Sequence, residues 1–173
     1  YGLTYHNDVN LLIFDIGGGT LDLSLLNIDE GLFEVISTEG NNYLGGEDFT
    51  NIILKDVLLK FKEDKKYYKL DDNIINQKLT YLKNEYNKFK CNKINKIFIK
   101  NFYKNKNNNV NLDLNYDRER NEISNLFLPL LNEIEDTLNL LINKNNLIKT
   151  DIDYIVLVGG SSKLPEVKNL LSR

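Results

Sequence analysis

The 173-residue sequence predicts an α/β fold. Three features point to it: short apolar runs that end at glycines, stretches of strict apolar–polar alternation beside them, and longer segments with apolar residues at helical spacing. Val9 to Asp15 (V-N-L-L-I-F-D) is an apolar run closed by a carboxylate, the pattern of a buried strand. Gly17-Gly18-Gly19 turns the chain, and Leu21 to Leu25 alternates as a strand with one buried face. After the turn Asp29-Glu30-Gly31, Leu32 to Thr38 makes a third strand, so the first third reads as an antiparallel meander.

Beyond Gly45-Gly46 the period changes. Phe49, Ile52, Ile53, Val57 and Leu58 recur at helical spacing, and Lys62 to Tyr68 reads as an exposed helix end or link. Ile74 to Lys90 is predicted as one helix, with Ile75, Leu79, Leu82, Tyr86 and Phe89 on one face. Ile94 to Phe102 and Val110 to Leu114 alternate as strands, joined by the Asn-rich tract 104–109 as a hairpin loop. Arg118 to Leu141 carries Leu126, Leu130, Ile134, Leu138 and Leu141 on one face of a long helix that Pro129 can kink or divide. Ile152 to Val158 reads as a buried strand, Gly159-Gly160 breaks it, and Ser161-Ser162 offers cap oxygens to a helix over Leu164 to Leu171.

Composition excludes several classes. Lys plus Arg number 22 against 25 Asp plus Glu, a charge of −3 without the basic surplus of a nucleic-acid binder. The single Cys91 rules out an internal disulfide framework, and the single His6 has no metal-site partner nearby. No apolar run reaches the roughly 20 residues of a membrane span, and no signal peptide is visible. Methionine is absent even at position 1, so the expectation is a piece of a longer chain. The Asn/Lys-rich tracts read as solvated loops.

Three constellations bear on chemistry. Asp15-Ile16-Gly17-Gly18-Gly19-Thr20 puts a glycine turn between strands, where backbone N–H groups can converge on an anion. Asp15 can hold a hydrated divalent cation or orient a water, and Thr20 adds a hydroxyl. Together they suit a Mg–nucleotide phosphate chain, although a tight hairpin turn explains the glycines equally well. Val158-Gly159-Gly160-Ser161-Ser162 lies at a strand-to-helix junction, which suits a phosphate or is an ordinary turn. Leu44-Gly45-Gly46-Glu47-Asp48-Phe49 reads most simply as a capped helix start with acids in the first turn.

In combination and order these segments are distinctive. Phe14 to Asp22 resembles the second phosphate loop of the 70-kilodalton heat-shock protein (DnaK-type) chaperones, Leu44 to Phe49 the segment that follows it there, and Ile155 to Pro165 the adenosine motif. Tyr1-Gly2-Leu3 is similar to the end of the helix connecting the family's two ATPase lobes, and residues 60 to 150 match only loosely. The resemblance implies lobe II of an actin-like ATPase (RNase H-like), a mixed sheet flanked by helices with an outer α+β subdomain. The inner subdomain would comprise 1–47 and 119–173, with phosphate loop and adenosine motif, and the outer one 48–118.

It also implies ATP or ADP with Mg²⁺ as ligands. Asp15 would fall near the metal and the attacking water, with Thr20 beside it. Gly17, Gly18, Gly19 and Thr20 would hold phosphates, and Gly159, Gly160, Ser161 and Lys163 would fall on the adenosine motif. Glu85 and Lys88 would take ribose-directed positions, Phe89 would replace an adenine-covering arginine, and Asn92 a serine. Lys163 replaces a second stacking arginine, and an ammonium stacks less well than a guanidinium. The hypothesis is that the Phe89 ring and the Lys163 stem clasp adenine; the alternative for Phe89 is a core residue of its helix.

The implied partners are lobe I and a substrate-binding domain of the same parent, a J-domain co-chaperone, a nucleotide exchange factor and unfolded peptides, with no nucleic acid and no membrane. The parent would be an ATPase whose lobes open and close, and this piece alone would hydrolyse negligibly. A divergent exchange-factor-like or ribosome-associated member that binds ATP without cycling is the alternative. An actin-like filament protein or sugar kinase sharing the superfold is disfavoured by Leu44–Phe49 and Val158–Pro165. The compartment expectation is cytoplasmic.

Overall fold

The computed structural model describes residues 9–66, 68–91, 94, 96–105 and 109–172. The chain divides into two compact units, Tyr1–Asp48 with Leu128–Arg173, and Phe49–Phe127.

The first unit is built on a four-stranded mixed sheet in the order β3-β2-β1-β6. Strands β1 (Val9–Ile16), β2 (Leu21–Asp29) and β3 (Leu32–Asn41) form the antiparallel meander, and β6 (Tyr154–Val158) joins β1 in parallel. Register explains why β1 lacks alternation. Leu12, Phe14 and Ile16 lie opposite Leu25, Leu23 and Leu21 on one face. Val9 and Leu11 lie opposite Ile28 and Leu26 on the other, and all ten side chains are buried. Each such burial stabilises by about 1.5–3 kcal/mol. The β2–β3 hairpin turns at Glu30 (φ 47°) and Gly31 (φ 82°), the left-handed pair that matches strand twist.

β6 departs from expectation. Its apolar run reads as a buried strand, yet Tyr154, Ile155, Leu157 and Val158 are 38–49% exposed because β6 pairs only with β1 among the described residues. An apolar run reports affinity for a core, not the number of neighbours a strand receives. The serines 161 and 162 also depart from expectation. The helix α5 (Pro165–Leu171) starts at Leu164 with Pro165 in its first turn and no side-chain cap. Ser161 and Ser162 form a short 3-10 turn with Lys163, and their hydroxyls donate to backbone carbonyls instead.

α1 (Gly46–Asp64) begins in the first unit and continues into the second from Phe49, where α2 (Asp72–Tyr81), α3 (Lys83–Lys90), β4 (Lys96–Asn105) and β5 (Val110–Asp117) follow in order. The expected single helix over 74–90 is two helices that break at Leu82, which is itself buried. Apolar spacing defines a shared face and does not require one continuous axis, so Ile75, Leu82 and Tyr86 are all buried across the break. β4 and β5 form an antiparallel ribbon closed at Asn105↔Val110; the middle of the Asn-rich tract lies outside the described residues. Phe49 meets Phe127 edge-on at 4.9 Å, and Phe61 meets Phe102 at 5.0 Å. The unit boundary falls within α4 (Arg120–Lys144). Pro129 does not divide that helix, which runs through it for 25 residues.

Candidate functional site

The site in the first unit is assembled from three backbone segments. The glycine turn closes the β1–β2 hairpin, with Gly17 N–H donating to the Thr20 carbonyl at 3.0 Å. The start of α1 packs beneath it: Gly46 N–H donates to the Gly17 carbonyl (2.9 Å) and Glu47 N–H to the Gly18 carbonyl (2.8 Å). The turn after β6 arrives alongside, where the Ser161 hydroxyl donates to the same Gly17 carbonyl at 3.0 Å. Gly18, Gly19 and Thr20 are exposed, and the Gly18 and Gly19 amides donate to no acceptor among the described residues.

Two kinds of glycine meet here. Gly45, Gly46 and Gly159 are required by the fold. A Cβ on Gly45 would strike the Gly18–Gly19 backbone, one on Gly46 the Ser161 hydroxyl, and one on Gly159 the Ile16 carbonyl. Gly159 also has φ 81°, which side chains rarely adopt. In contrast, a Cβ on Gly17, Gly18, Gly19 or Gly160 would meet no described residue within 4 Å, and none of the four has a positive φ. Among the described residues neither packing nor backbone geometry demands glycine there. Within this group, Gly18 and Gly19 leave their backbone N–H groups without an acceptor among the described residues, while the Gly17 N–H closes the turn on Thr20.

Carboxylates flank the turn. Asp15, half-buried at the end of β1, lies opposite Asp22 of β2, so both point to the same face of the sheet. The Asp15 carboxylate stands over Gly159, whose Cβ would come 2.7 Å from Oδ1. The Thr20 hydroxyl donates to Asp22 Oδ2 at 3.0 Å. Asp22 is a site residue that the sequence reading passed over. Its distance of two residues from Thr20 is visible in the sequence, whereas the face it shares with Asp15 is set by the β1–β2 register. Among the described residues no group of three or more His, Cys, Asp or Glu could hold a metal. Two carboxylates and a hydroxyl instead suit a hard cation that keeps waters and shares phosphate oxygens, as Mg²⁺ does.

The start of α1 is capped reciprocally. Asp48 N–H donates to the Gly45 carbonyl, and Asp48 Oδ2 accepts from Gly45 N–H at 2.8 Å. With Glu47 and Asp48 in its first turn, this helix end is already supplied with negative charge. Beside β6 an open hollow of about 500 Å³ is lined by residues that include Gly159, Ser162, Lys163 and Lys168. It has room for a nucleoside-sized group, and Lys163 stands at its edge.

The sequence-derived residues of the second unit lie on α3. Lys88 Nζ pairs with Glu85 Oε1 at 2.8 Å, an exposed pair three residues apart that contributes little to stability. The C-terminal end of α3 is anchored where the Lys90 ammonium, which is buried, donates to Thr50 Oγ1 at 2.9 Å and Arg120 Nη1 donates to the Lys90 carbonyl at 3.1 Å. The Phe89 side chain, Asn92 and His6 lie outside the described residues. Cys91 is a free thiol at the end of α3.

Comparison with known proteins places the chain. The HSP70 family model (Hsp70 protein) matches residues 1–173. The chain is similar to a chaperone protein dnaK from Phaeodactylum tricornutum, 34% identical over 171 residues, covering 99% of this chain and 28% of the relative. It is also similar to a heat shock protein 70 homolog from Acanthamoeba polyphaga mimivirus, 32% identical over 168 residues, covering 94% of this chain and 17% of the relative. The chain thus spans less than a third of the length of these relatives. A mixed sheet flanked by helices, with glycine turns at Gly17–Gly19 and Gly159–Gly160, and a family match along its whole length make this chain a member of the HSP70 family.

Proposed function

We propose that this chain is the nucleotide-binding half of a chaperone ATPase, with ATP or ADP and Mg²⁺ as ligands. The observation that carries the reading is the group of four glycines, Gly17, Gly18, Gly19 and Gly160, which neither packing nor backbone geometry requires among the described residues. Glycines kept where any small residue would fit mark places that something outside the chain approaches closely. The bare amides of Gly18 and Gly19 suit the β- and γ-phosphates. Their charge is met by oriented backbone dipoles, which explains how a protein of charge −3 takes a polyanion. The hollow beside Lys163 takes the nucleoside, with Gly159 and Gly160 against the α-phosphate.

Asp15 and Asp22 would hold a hydrated Mg²⁺ ion, and Thr20 steadies Asp22. When bound, the ion would supply positive charge against the charge that develops on the phosphates. Asp15 is the group placed to orient an attacking water at the end of the turn. Glu85 and Lys88 are assigned to the ribose. Hydrolysis needs positive charge on every side of the γ-phosphate, and no Lys or Arg is among the residues forming the glycine turn itself. The remaining charge must come from the rest of the parent, whose lobes close on the nucleotide and pass the change to a peptide-binding domain. A J-domain protein and an exchange factor are the partners proposed for that cycle.

Calorimetric titration with ADP and Mg²⁺ tests the reading. Full-length protein should bind ADP and release phosphate from ATP. This chain alone should bind more weakly and release phosphate at a negligible rate. Failure of the full-length protein to bind ADP would overturn it.

A further inference from the structure

The glycine turn raises a physical problem that its own sequence does not solve. In a trans peptide the carbonyl of one residue and the N–H of the next point in opposite directions. A phosphate therefore meets the Gly18 N–H only while the Gly17 carbonyl points away from it. It meets the Gly19 N–H only while the Gly18 carbonyl does the same. Peptides between glycines rotate most easily, because no Cβ restrains φ and ψ. A flip would turn a carbonyl oxygen toward the anion and replace attraction by repulsion.

Both carbonyls are held from beneath. The Gly18 carbonyl accepts the Glu47 N–H at 2.8 Å. The Gly17 carbonyl accepts two bonds, from Gly46 N–H at 2.9 Å and from the Ser161 hydroxyl at 3.0 Å. Ser161 is 7% exposed, and a hydroxyl has a single proton to give. That proton goes to Gly17. The space for it is reserved by Gly46, whose added Cβ would overlap the Ser161 Oγ while lying 3.4 Å from Ser161 Cβ and 3.3 Å from the Gly17 carbonyl. The Ser161 oxygen and a methyl at position 46 compete for one slot.

We propose that Ser161 is a positioning residue for phosphate recognition: its hydroxyl pins the Gly17 carbonyl inward so that the Gly18 amide stands preset toward the phosphates, and position 46 is glycine to admit that hydroxyl. The proposal rests on the nucleotide reading above and gives Ser161 a role other than touching the nucleoside. Presetting removes the reorganisation that phosphate binding would otherwise demand.

The test uses the full-length protein and two ligands, ADP and adenosine, by titration calorimetry. Ser161→Ala should weaken ADP about tenfold, the scale of one such hydrogen bond, and weaken adenosine far less. Gly46→Ala should weaken ADP at least as much. The double variant Gly46→Ala/Ser161→Ala should bind ADP no worse than Ser161→Ala alone, because the new methyl then occupies the vacated slot. Equal losses for ADP and adenosine, unchanged ADP affinity in Ser161→Ala, or additive losses in the double variant would each overturn the proposal. Amide hydrogen exchange without ligand supplies a separate reading. The Gly46 N–H should exchange faster in Ser161→Ala by more than any fall in the urea midpoint accounts for, and unaltered exchange would sink the clamp. If wild-type protein binds no ADP while this exchange difference is present, the nucleotide reading fails and the clamp stands.

Discussion

In the unit 49–127, the charges of the Asp56–Arg118 network meet other side chains. Asp56 receives both Arg118 Nε and Nη2 at 2.9 Å and the Tyr116 hydroxyl at 2.8 Å, and Arg118 Nη1 reaches Glu122 at 2.8 Å. In the unit formed by 1–48 and 128–173, polar groups at the glycine turn are left facing outward, and the bonds that exist pin the backbone from below. The first arrangement satisfies its own charges and ties α1 to β5 and the start of α4. The second keeps donors unsatisfied so that something else can use them. The same contrast separates interactions that hold a fold from those that make a site. Substitutions should therefore affect stability in one unit and binding in the other.

The largest expected effect is on the Asp56–Arg118 pair. Its side chains are 12% and 25% exposed, so removing Arg118 strands a mostly buried carboxylate. Arg118→Ala should lower unfolding stability by about 2–3 kcal/mol, below the range for a fully buried pair. Arg118→Lys should recover little, since an ammonium cannot make the two-pronged contact. Urea unfolding checks both, and a cost under half a kilocalorie would break the contrast. Next comes Gly18→Ala. With an ordinary φ and open space for the methyl, it should stabilise the fold by about 0.4–1 kcal/mol through the unfolded chain. On the proposed nucleotide reading the same methyl enters the space for the phosphates, so ADP affinity in the full-length protein should drop at least tenfold. A loss of stability in parallel with affinity would show that glycine is structural there after all.

Much of this was legible in the sequence, and the shortfalls have physical causes. The meander, the glycine turn and the helix starting near Gly46 follow from period and turn chemistry, which are local. The exposure of β6 was not legible, because Ile155 and Leu157 look the same with a strand on one side or two. Leu82 breaks a helix without glycine or proline, so apolar spacing alone ran the two helices together. Asp15 announced itself as a carboxylate closing an apolar run. Asp22 became a site residue only when register put it opposite Asp15. The roles of Gly45 and Gly46 depend on close approach to residues far along the chain, which no local pattern encodes.

Tyr86 offers a smaller test within the unit 49–127. Its ring is fully buried and its hydroxyl has no hydrogen-bond partner among the described residues. Burial pushes its pKa well above the ordinary 10.0, since the phenolate cannot be solvated. Tyr86→Phe removes an unsatisfied oxygen and should stabilise by about 1 kcal/mol. The raised pKa also sets a sign: stability is intact below pH 10 and is lost as pH rises beyond it. Part of that alkaline loss should vanish in the variant. The remainder should persist, because Tyr116 is raised by burial and by Asp56 as well. A destabilised Tyr86→Phe would mean that the hydroxyl has a partner, a water for instance.

The finest discrimination lies at the solvent edge of the Arg118 network. Glu122 accepts the Glu119 N–H at 2.9 Å and Arg118 Nη1 at 2.8 Å. The Glu119 amide first, and Arg118 second, hold its carboxyl below the ordinary 4.5. A depressed carboxylate pKa stabilises above the unfolded value, and that stability is lost as pH falls through the folded value. Glu122→Gln should therefore be slightly less stable than wild type at pH 7, and the two should converge as pH drops below 4.5. Urea midpoints at steps from pH 7 to pH 3 read the gap directly. A gap that stays constant with pH would mean that Glu122 acts through its hydrogen-bond geometry alone, because glutamine offers one acceptor oxygen where Glu122 uses two, Oε1 to Arg118 and Oε2 to the Glu119 amide. A gap that closes would show that the network's charges couple out to its exposed rim, the opposite of a glycine turn that presents bare amides without a charged side chain of its own.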